Sequence, residues 1–202
     1  MRKVRIAYFF EDIAQERFVR RLVHRATQNL NLHLEEEVRN ATHGSLIWIE
    51  LRQYLREISS GKAFTPDMLL VIVDGNCEKP VQARERVRQI CQGSECQIPF
   101  VVCGIPDPHI ERWYLEDASA WQKILPGAKV PSLRYQCRQD YYKNALKNTI
   151  REVNIEPLLG GAEYGEDLAE VIDLYRLSQK DRSFKTFWQD LTHALKQLTT
   201  IK

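Results

Sequence analysis

Six apolar residues follow one another without a break from Met68 to Val73, and the run ends in Asp74-Gly75-Asn76. A continuous apolar run of this length, bounded by turn residues, reads as a strand buried on both faces. That is the habit of parallel sheets covered by helices on either side. The neighbouring sequence agrees. Lys3 to Phe10 carries Val4, Ile6, Ala7, Tyr8, Phe9 and Phe10, a first strand rich in β-branched and aromatic residues. Leu32 to Val38 alternates weakly and reads as a short strand at a sheet edge. Ile98 to Ile105 is a further strand, stopped by Pro106-Asp107-Pro108 because proline cannot continue a ladder.

Helical periodicity fills the gaps between these strands. Asp12 is placed to cap a helix reaching about Asn29, whose apolar face is Phe18, Val19, Leu22, Val23, Ala26 and Leu30. Ser45 is the expected cap of a helix burying Ile47, Leu51, Tyr54, Leu55 and Ile58. Pro80 opens a third at the tolerated first-turn position, facing inward with Ala83, Val87, Ile90 and Cys91. His109 to about Leu125 reads as one helix with Ile110, Trp113, Tyr114, Ala118 and Trp121 on one face. Pro126 to Gln139 is irregular, and only helices follow: Asp140–Val153, Gly165–Leu177 and Ser183–Leu198. The expected fold is therefore α/β, a mainly parallel sheet flanked by helices over residues 1–125, with a helical C-terminal extension over 126–202 packed on it.

Composition bounds the function. The chain has 202 residues, 44% of them hydrophobic, enough for one domain with a full core. A net charge of +2 does not announce a nucleic-acid binder, so only local patches could make one. The five cysteines are odd in number and include no Cys-x-x-Cys pair, and they read as reduced thiols of a cytoplasmic protein. The first residues enter a strand pattern directly, so no secretory leader is expected. No apolar run approaches a membrane span, so no membrane partner is expected either.

The acids fall where such a fold places chemistry. In open α/β sheets ligands sit outside the carboxyl ends of the strands. Glu11 ends the first strand, Asp74 ends the central one, and Glu111 sits just after the strand containing Phe100. Carboxylates converging on one rim repel unless a positive charge lies between them. A hard cation held by one or two carboxylates plus water and phosphate suits Mg²⁺. Each acid also has a plainer reading. Glu11, Asp12 and Glu111 favour a helix start through the macrodipole, and Asp-Gly is common turn chemistry. Asp117 is about 600° of helical rotation beyond Glu111, roughly 120° away, which suggests a supporting or structural role. Glu35 to Glu37 reads as a solvated run, and the five histidines show no metal-ligand spacing.

The motifs resemble those of Toprim-fold proteins, the catalytic domain shared by topoisomerases, primases and overcoming-lysogenization-defect (OLD) nucleases. They are most similar to the small stand-alone Toprim-like family of unknown function that is often paired with ATPases in phage defence. Carrying the resemblance are Ala7-Tyr-Phe-Phe-Glu11-Asp12 with Glu16 and Phe18, then Leu69-Leu-Val-Ile-Val-Asp74-Gly75-Asn76, then Glu111-Arg-Trp113-Tyr-Leu-Glu-Asp117. In the tail, Lys143-Asn-Ala-Leu146 and Asp181-Arg-Ser-Phe184 match. Two positions depart from the pattern. Asp12 stands where glycine is usual, and Asn76 replaces the second acid of Asp-x-Asp, removing one negative charge from a cation site.

The resemblance implies that Glu11, Asp74 and Glu111 hold Mg²⁺ (or Mn²⁺), with Asn76 as a neutral helper. It implies that Glu16 and Asp117 support the site, and that Lys143 neutralises charge on a transferring phosphate. An ordinary exposed helix lysine is the plainer reading of Lys143, and Trp113 and Phe184 read as core. The implied activity is a Mg²⁺-dependent nuclease hydrolysing phosphodiesters in DNA or RNA beside an ATPase partner protein, with a homodimer also compatible. A positive track could come from Arg17, Arg20, Arg21 and Arg25, or from Arg84, Arg86 and Arg88, although such runs are commonly solvated faces. The alternative is a catalytically degenerate module that docks on or regulates an ATPase, which Asn76 and Asp12 favour. A phosphate-accepting receiver-like domain fits less well, because the helical tail and the Glu111 motif have no place in it.

Overall fold

The computed structural model describes residues 2–138 and 140–200, so Gln139 within the expected irregular stretch lies outside it. Four strands and, among the described residues, nine α-helices follow in the order β1 (Arg2–Phe10), α1 (Ile13–Thr27), β2 (Leu32–Asn40), α2 (Ile47–Ser59), β3 (Met68–Ile72), α3 (Pro80–Gln92), β4 (Phe100–Gly104), α4 (Ile110–Leu115), α5 (Ala118–Ile124), α6 (Tyr141–Arg151), α7 (Gly165–Val171), α8 (Leu174–Lys180) and α9 (Arg182–Thr200). The sheet order is β2-β1-β3-β4 and every pairing is parallel.

Burial explains the central run. Met68, Leu70 and Ile72 point into one hydrophobic cluster, while Leu69, Val71 and Val73 point into the other. With both faces of β3 covered, successive side chains have no solvent face, and the run is apolar throughout. One cluster lies beneath α2 and α3. The other contains α1, the helices around Trp113 and Trp121, and all of the tail. The tail helices thus continue the core of the first 125 residues: Phe184, Phe187, Leu191, Ala194, Leu195 and Leu198 are buried in the cluster that holds Val4 and Tyr8. Gly104 on β4 permits this close approach, since a Cβ there would lie 2.6 Å from Ile72 Cδ1 and 3.1 Å from the Phe187 ring.

Several sequence expectations need correction. The edge strand β2 is nine residues long, not short. Its Glu36 is not a simple solvated residue, for it accepts a 2.7 Å hydrogen bond from the Tyr8 hydroxyl and faces Arg20 and His24. Ser45 does not cap α2. It lies in a 3₁₀ turn, Gly44–Leu46, whose own cap is His43. The expected helix over His109–Leu125 is broken at Asp117, which caps α5 by accepting from the Ser119 amide. Gly165–Leu177 is likewise two helices, because Asp173 caps α8. Cys77 and Cys137 are joined in a disulfide across a sequence separation of 60, with Cα atoms 5.5 Å apart, so not all five thiols are free. Cys91, Cys96 and Cys103 remain unpaired. Among the described residues, no helix is long and apolar enough to cross a membrane.

Candidate functional site

The chain leaves β1 towards β2 on one side, then returns past β1 to build β3 and β4 on the other. The order therefore reverses between β1 and β3, and the crevice beyond the carboxyl ends at such a reversal is where open α/β sheets bind ligands. Glu11 directly follows β1, and Asp74 follows Val73 at the end of β3. The two touch: the Asp74 amide donates to Glu11 Oε2 at 2.8 Å. Gly44 backs this carboxylate, since a Cβ there would come within 2.9 Å of Glu11 Oε1. Gly75 turns the chain against the next loop, with its amide donating to the Pro106 carbonyl at 2.8 Å.

Asp74 is the hub. Its Oδ1 accepts from Gln15 Nε2 at 2.9 Å and from the Ile110 amide at 3.1 Å, and its Oδ2 lies 3.2 Å from His109 Nδ1. Gln15 is fully buried, and its other amide atom, Oε1, accepts from the Glu11 amide at 2.9 Å. One glutamine on α1 therefore holds the ends of β1 and β3 together. The hydrogen bond to Asp74 raises the His109 pKa despite the opposing effect of burial, so the imidazolium is favoured there.

Glu111 is 6% exposed and its Oε2 has no hydrogen-bond partner among the described residues. Burial and then the Asp74 charge push its pKa up to about 7. Glu11 is raised to about 7 for the same two reasons, in the same order. Asp12 caps α1 through the Gln15 amide at 3.0 Å, and it too is raised by burial and by Asp74. Lys143 answers these charges. Burial works against its ammonium, but Glu111, Asp12 and Asp74 outweigh that and raise its pKa. Asp12, Glu111, Lys143 and Lys147 line one cleft of about 320 Å³ closed by Leu159 and Gly160.

Glu11, Asp74, Glu111 and Lys143 are thus brought together at the rim. Asn76 is exposed beside them in a left-handed conformation (φ 46°). Its side chain donates to the Asp74 carbonyl at 3.4 Å and hydrogen-bonds Glu11. The two supporting acids do not join the site. Glu16 turns to Arg20 at 3.2 Å and Asn40 Nδ2 at 2.6 Å, tying α1 to the end of β2. Asp117 accepts from Ser119 and from the Asp173 amide at 2.9 Å. Those hydrogen bonds outweigh its burial and hold its carboxyl below the usual range. Trp113 and Phe184 are core, and Trp113 Nε1 donates to Ser183 at 2.9 Å.

The donor chemistry can be tested against the implied cation. Oxygen-only donors, two glutamates raised by burial and by the Asp74 charge, and an unpartnered buried Oε2 are what a hard cation would relieve. Yet among the described residues no three of His, Cys, Asp and Glu are grouped to hold a metal ion. The reason is visible in the geometry. Both Asp74 oxygens are already engaged within the protein, and Glu11 Oε2 is held by the Asp74 amide. The set fits a weakly held ion with one or two protein carboxylates, not a closed protein cage.

The expected basic tracks are largely consumed by internal pairs. Arg20 meets Glu16 and Glu36, Arg21 meets Glu170 at 2.6 Å, Arg25 bonds carbonyls of α7 and its end, Arg84 pairs with Asp190, and Arg88 pairs with Glu85. Arg17 is exposed with no carboxylate partner among the described residues.

Gln15 and His109 were missed by sequence reasoning. Gln15 left a signal, because it sits three and four residues before Phe18 and Val19 on a face that is otherwise apolar. His109 left none, since its role depends on how the Pro106–Pro108 turn folds back onto Asp74. Comparisons of the chain with protein-family models, with curated proteins and with solved structures found no match.

Proposed function

We propose that this chain is a Mg²⁺- or Mn²⁺-dependent phosphodiesterase of the Toprim type, a nuclease working with an ATPase partner in phage defence. The observation that carries the reading is a buried glutamate oxygen with no hydrogen-bond partner that shares one cleft with Lys143 at the switch point of the sheet, beside Glu11 and Asp74. Glu11 and Glu111 would hold the ion with Asp74 between them, and Asn76 would contribute a neutral oxygen. When bound, the ion would polarise a phosphoryl oxygen and activate water. Lys143 would meet the charge of the transferring phosphate from the cleft side. Gln15 fixes the orientation of Asp74, and His109 shields its outer oxygen.

A second reading has its own support. Both oxygens of Asp74 are satisfied within the protein, and Asn76 stands where a further charge would strengthen cation binding. These features favour a rim that has become a structural junction in a docking or regulatory subunit. One experiment separates the two. Single-stranded and duplex DNA and RNA are incubated with the purified chain and Mg²⁺ or Mn²⁺, and melting is followed in parallel. Cleavage and cation-dependent stabilisation, both abolished in Asp74→Ala and Glu111→Ala, support the nuclease. A cation response absent from the wild type sinks it and leaves the docking module.

A further inference from the structure

On the face of the sheet away from the tail, α2 and α3 lie side by side and enclose a cleft of about 380 Å³. Arg52 and Arg56 enter it from α2, and Arg86, Gln89 and Ile90 enter it from α3, with Gly93 and Ser94 at its end. No acidic residue lines it. The nearest acids along the two helices are committed elsewhere, Glu57 to Arg39 at 3.4 Å and Glu85 to Arg88 at 2.8 Å. Among the described residues Arg52, Arg56 and Arg86 have no carboxylate partner at all, in contrast to Arg20, Arg21, Arg84 and Arg88.

Two of the three are nevertheless held in place. The Arg86 guanidinium lies 4.5 Å from the centroid of the Trp48 ring, and Arg52 Nη1 donates to the Trp48 carbonyl at 3.3 Å. Stacking on an aromatic ring positions a guanidinium without cancelling its charge. The floor is the buried Ile90. Three cations around one small space repel one another, and an anion of matching charge would relieve that. Planar guanidinium forks favour phosphate oxygens. Arg52 and Arg56 are one turn apart, about 6 Å along α2, and Arg86 faces them from the other helix, so linked phosphates can span them where a single one cannot. The volume falls in the range of small-ligand pockets.

We propose that this cleft binds a small ligand carrying two or more linked phosphates, either a nucleoside polyphosphate or an inorganic one. The site is separate from the acidic rim. Both helices start at the carboxyl edge of the sheet and run back, so Arg56, Gln89 and Ser94 lie towards its amino edge. The inference stands whether or not the rim is a nuclease.

Calorimetric titration of the full chain in chelating buffer tests it, using inorganic tripolyphosphate, a nucleoside triphosphate and a single-stranded oligonucleotide as separate probes. Tripolyphosphate and the triphosphate are expected to bind. Arg56→Gln should weaken both by about tenfold or more, the worth of one charge-assisted hydrogen bond. Arg56→Lys should lose less, and Lys185→Gln, an exposed position on α9 at the other face of the sheet, should leave both affinities unchanged. Equal tightness of the two small probes identifies the phosphates alone as the recognised group, and a tighter triphosphate adds its nucleoside. The proposal is overturned if neither small probe binds, if binding survives the combined Arg52→Gln and Arg86→Gln changes, or if only the oligonucleotide binds. Arg52, Arg56 and Arg86 are exposed, and melting of each variant checks that the fold is retained.

Discussion

Glu111→Gln should make the protein more stable at alkaline pH, although it removes a residue assigned to the site. Burial and the Asp74 charge raise the Glu111 carboxyl from 4.5 to about 7. At about 1.4 kcal/mol per pH unit, the charged side chain costs the folded state about 3 kcal/mol. The sign follows from linkage. Below 4.5 the carboxyl is protonated in both folded and unfolded chains and costs nothing. Between 4.5 and about 7 the folded chain keeps a proton that the unfolded chain releases, so stability falls as pH rises through this window. Above it the full cost remains. Glutamine keeps the shape without the charge and gives Asp74 a neutral neighbour.

Some of that gain is offset by the unpartnered amide, so the expected advantage at pH about 8.5 is about 2 kcal/mol, or about 4–8 °C in melting temperature for a chain of this size. At pH about 4.5 the advantage should vanish. Melting of both proteins across this range, in chelating buffer, measures the difference directly. On the proposed nuclease reading, saturating Mg²⁺ or Mn²⁺ should then raise the wild type and leave Glu111→Gln behind, because a bound cation would relieve a repulsion that the variant no longer has. Two results would refute the reasoning: parallel pH profiles for the two proteins, or a wild type more stable at pH about 8.5 than at about 5.5.

Other consequences are equally direct. Gln15→Leu removes the donor to Asp74 and the acceptor for the Glu11 amide, and should cost about 1–3 kcal/mol in urea unfolding. Cys77→Ser opens a loop closed across 60 residues, which the chain-entropy estimate puts at about 4 kcal/mol; a thiol reductant should lower the wild-type melt by a similar amount and leave the variant unchanged. Gly104→Ala forces a methyl against Ile72 and Phe187 and should cost about 1–3 kcal/mol by the same unfolding assay.

Periodicity carried much of this fold and failed in an instructive way. The run Met68–Val73 could be placed because a strand covered on both faces has no polar positions to confuse the reading. The faces of α1, α2 and α3 were legible for the complementary reason, a single covered stripe. The two merged helices were misread because α4 and α5, and then α7 and α8, lean on the same cluster, so apolar spacing continues across Asp117 and Asp173 while the backbone does not. Tyr175 shows the result: an unbroken helix from Gly165 would carry it on the face of Leu168 and Ile172, yet it is 77% exposed once α8 restarts at Leu174. The rim acids were legible from their positions after strands. The Cys77–Cys137 bond was not, because loop closure over such a distance leaves no local pattern. Nor was the fate of Arg21 and Arg84, whose partners Glu170 and Asp190 lie in the tail.

The tail is what turns a sheet edge into a site. Without α6 only His109 would set a positive charge beside the rim acids. Lys143 reaches them because α6 is anchored through Leu146 and Ile150 in the same cluster as β1 and β3. The neighbouring stretch is tied to the loop after Asp74 by Cys137 and Cys77. The Glu-x-Trp element closes the circuit: Glu111 faces the cleft, while Trp113, two residues on, is buried against Phe184 and Phe187 of α9 with ring centroids 5.1 and 5.6 Å away. One short helix thus presents a carboxylate to the site from a turn clamped by the last helix of the chain. Loosening that clamp should disturb the site before it unfolds the sheet. Trp113→Phe keeps an aromatic in the cluster but loses the bond to Ser183, so its clearest effect should be a smaller pH dependence of stability as Glu111 gains solvent.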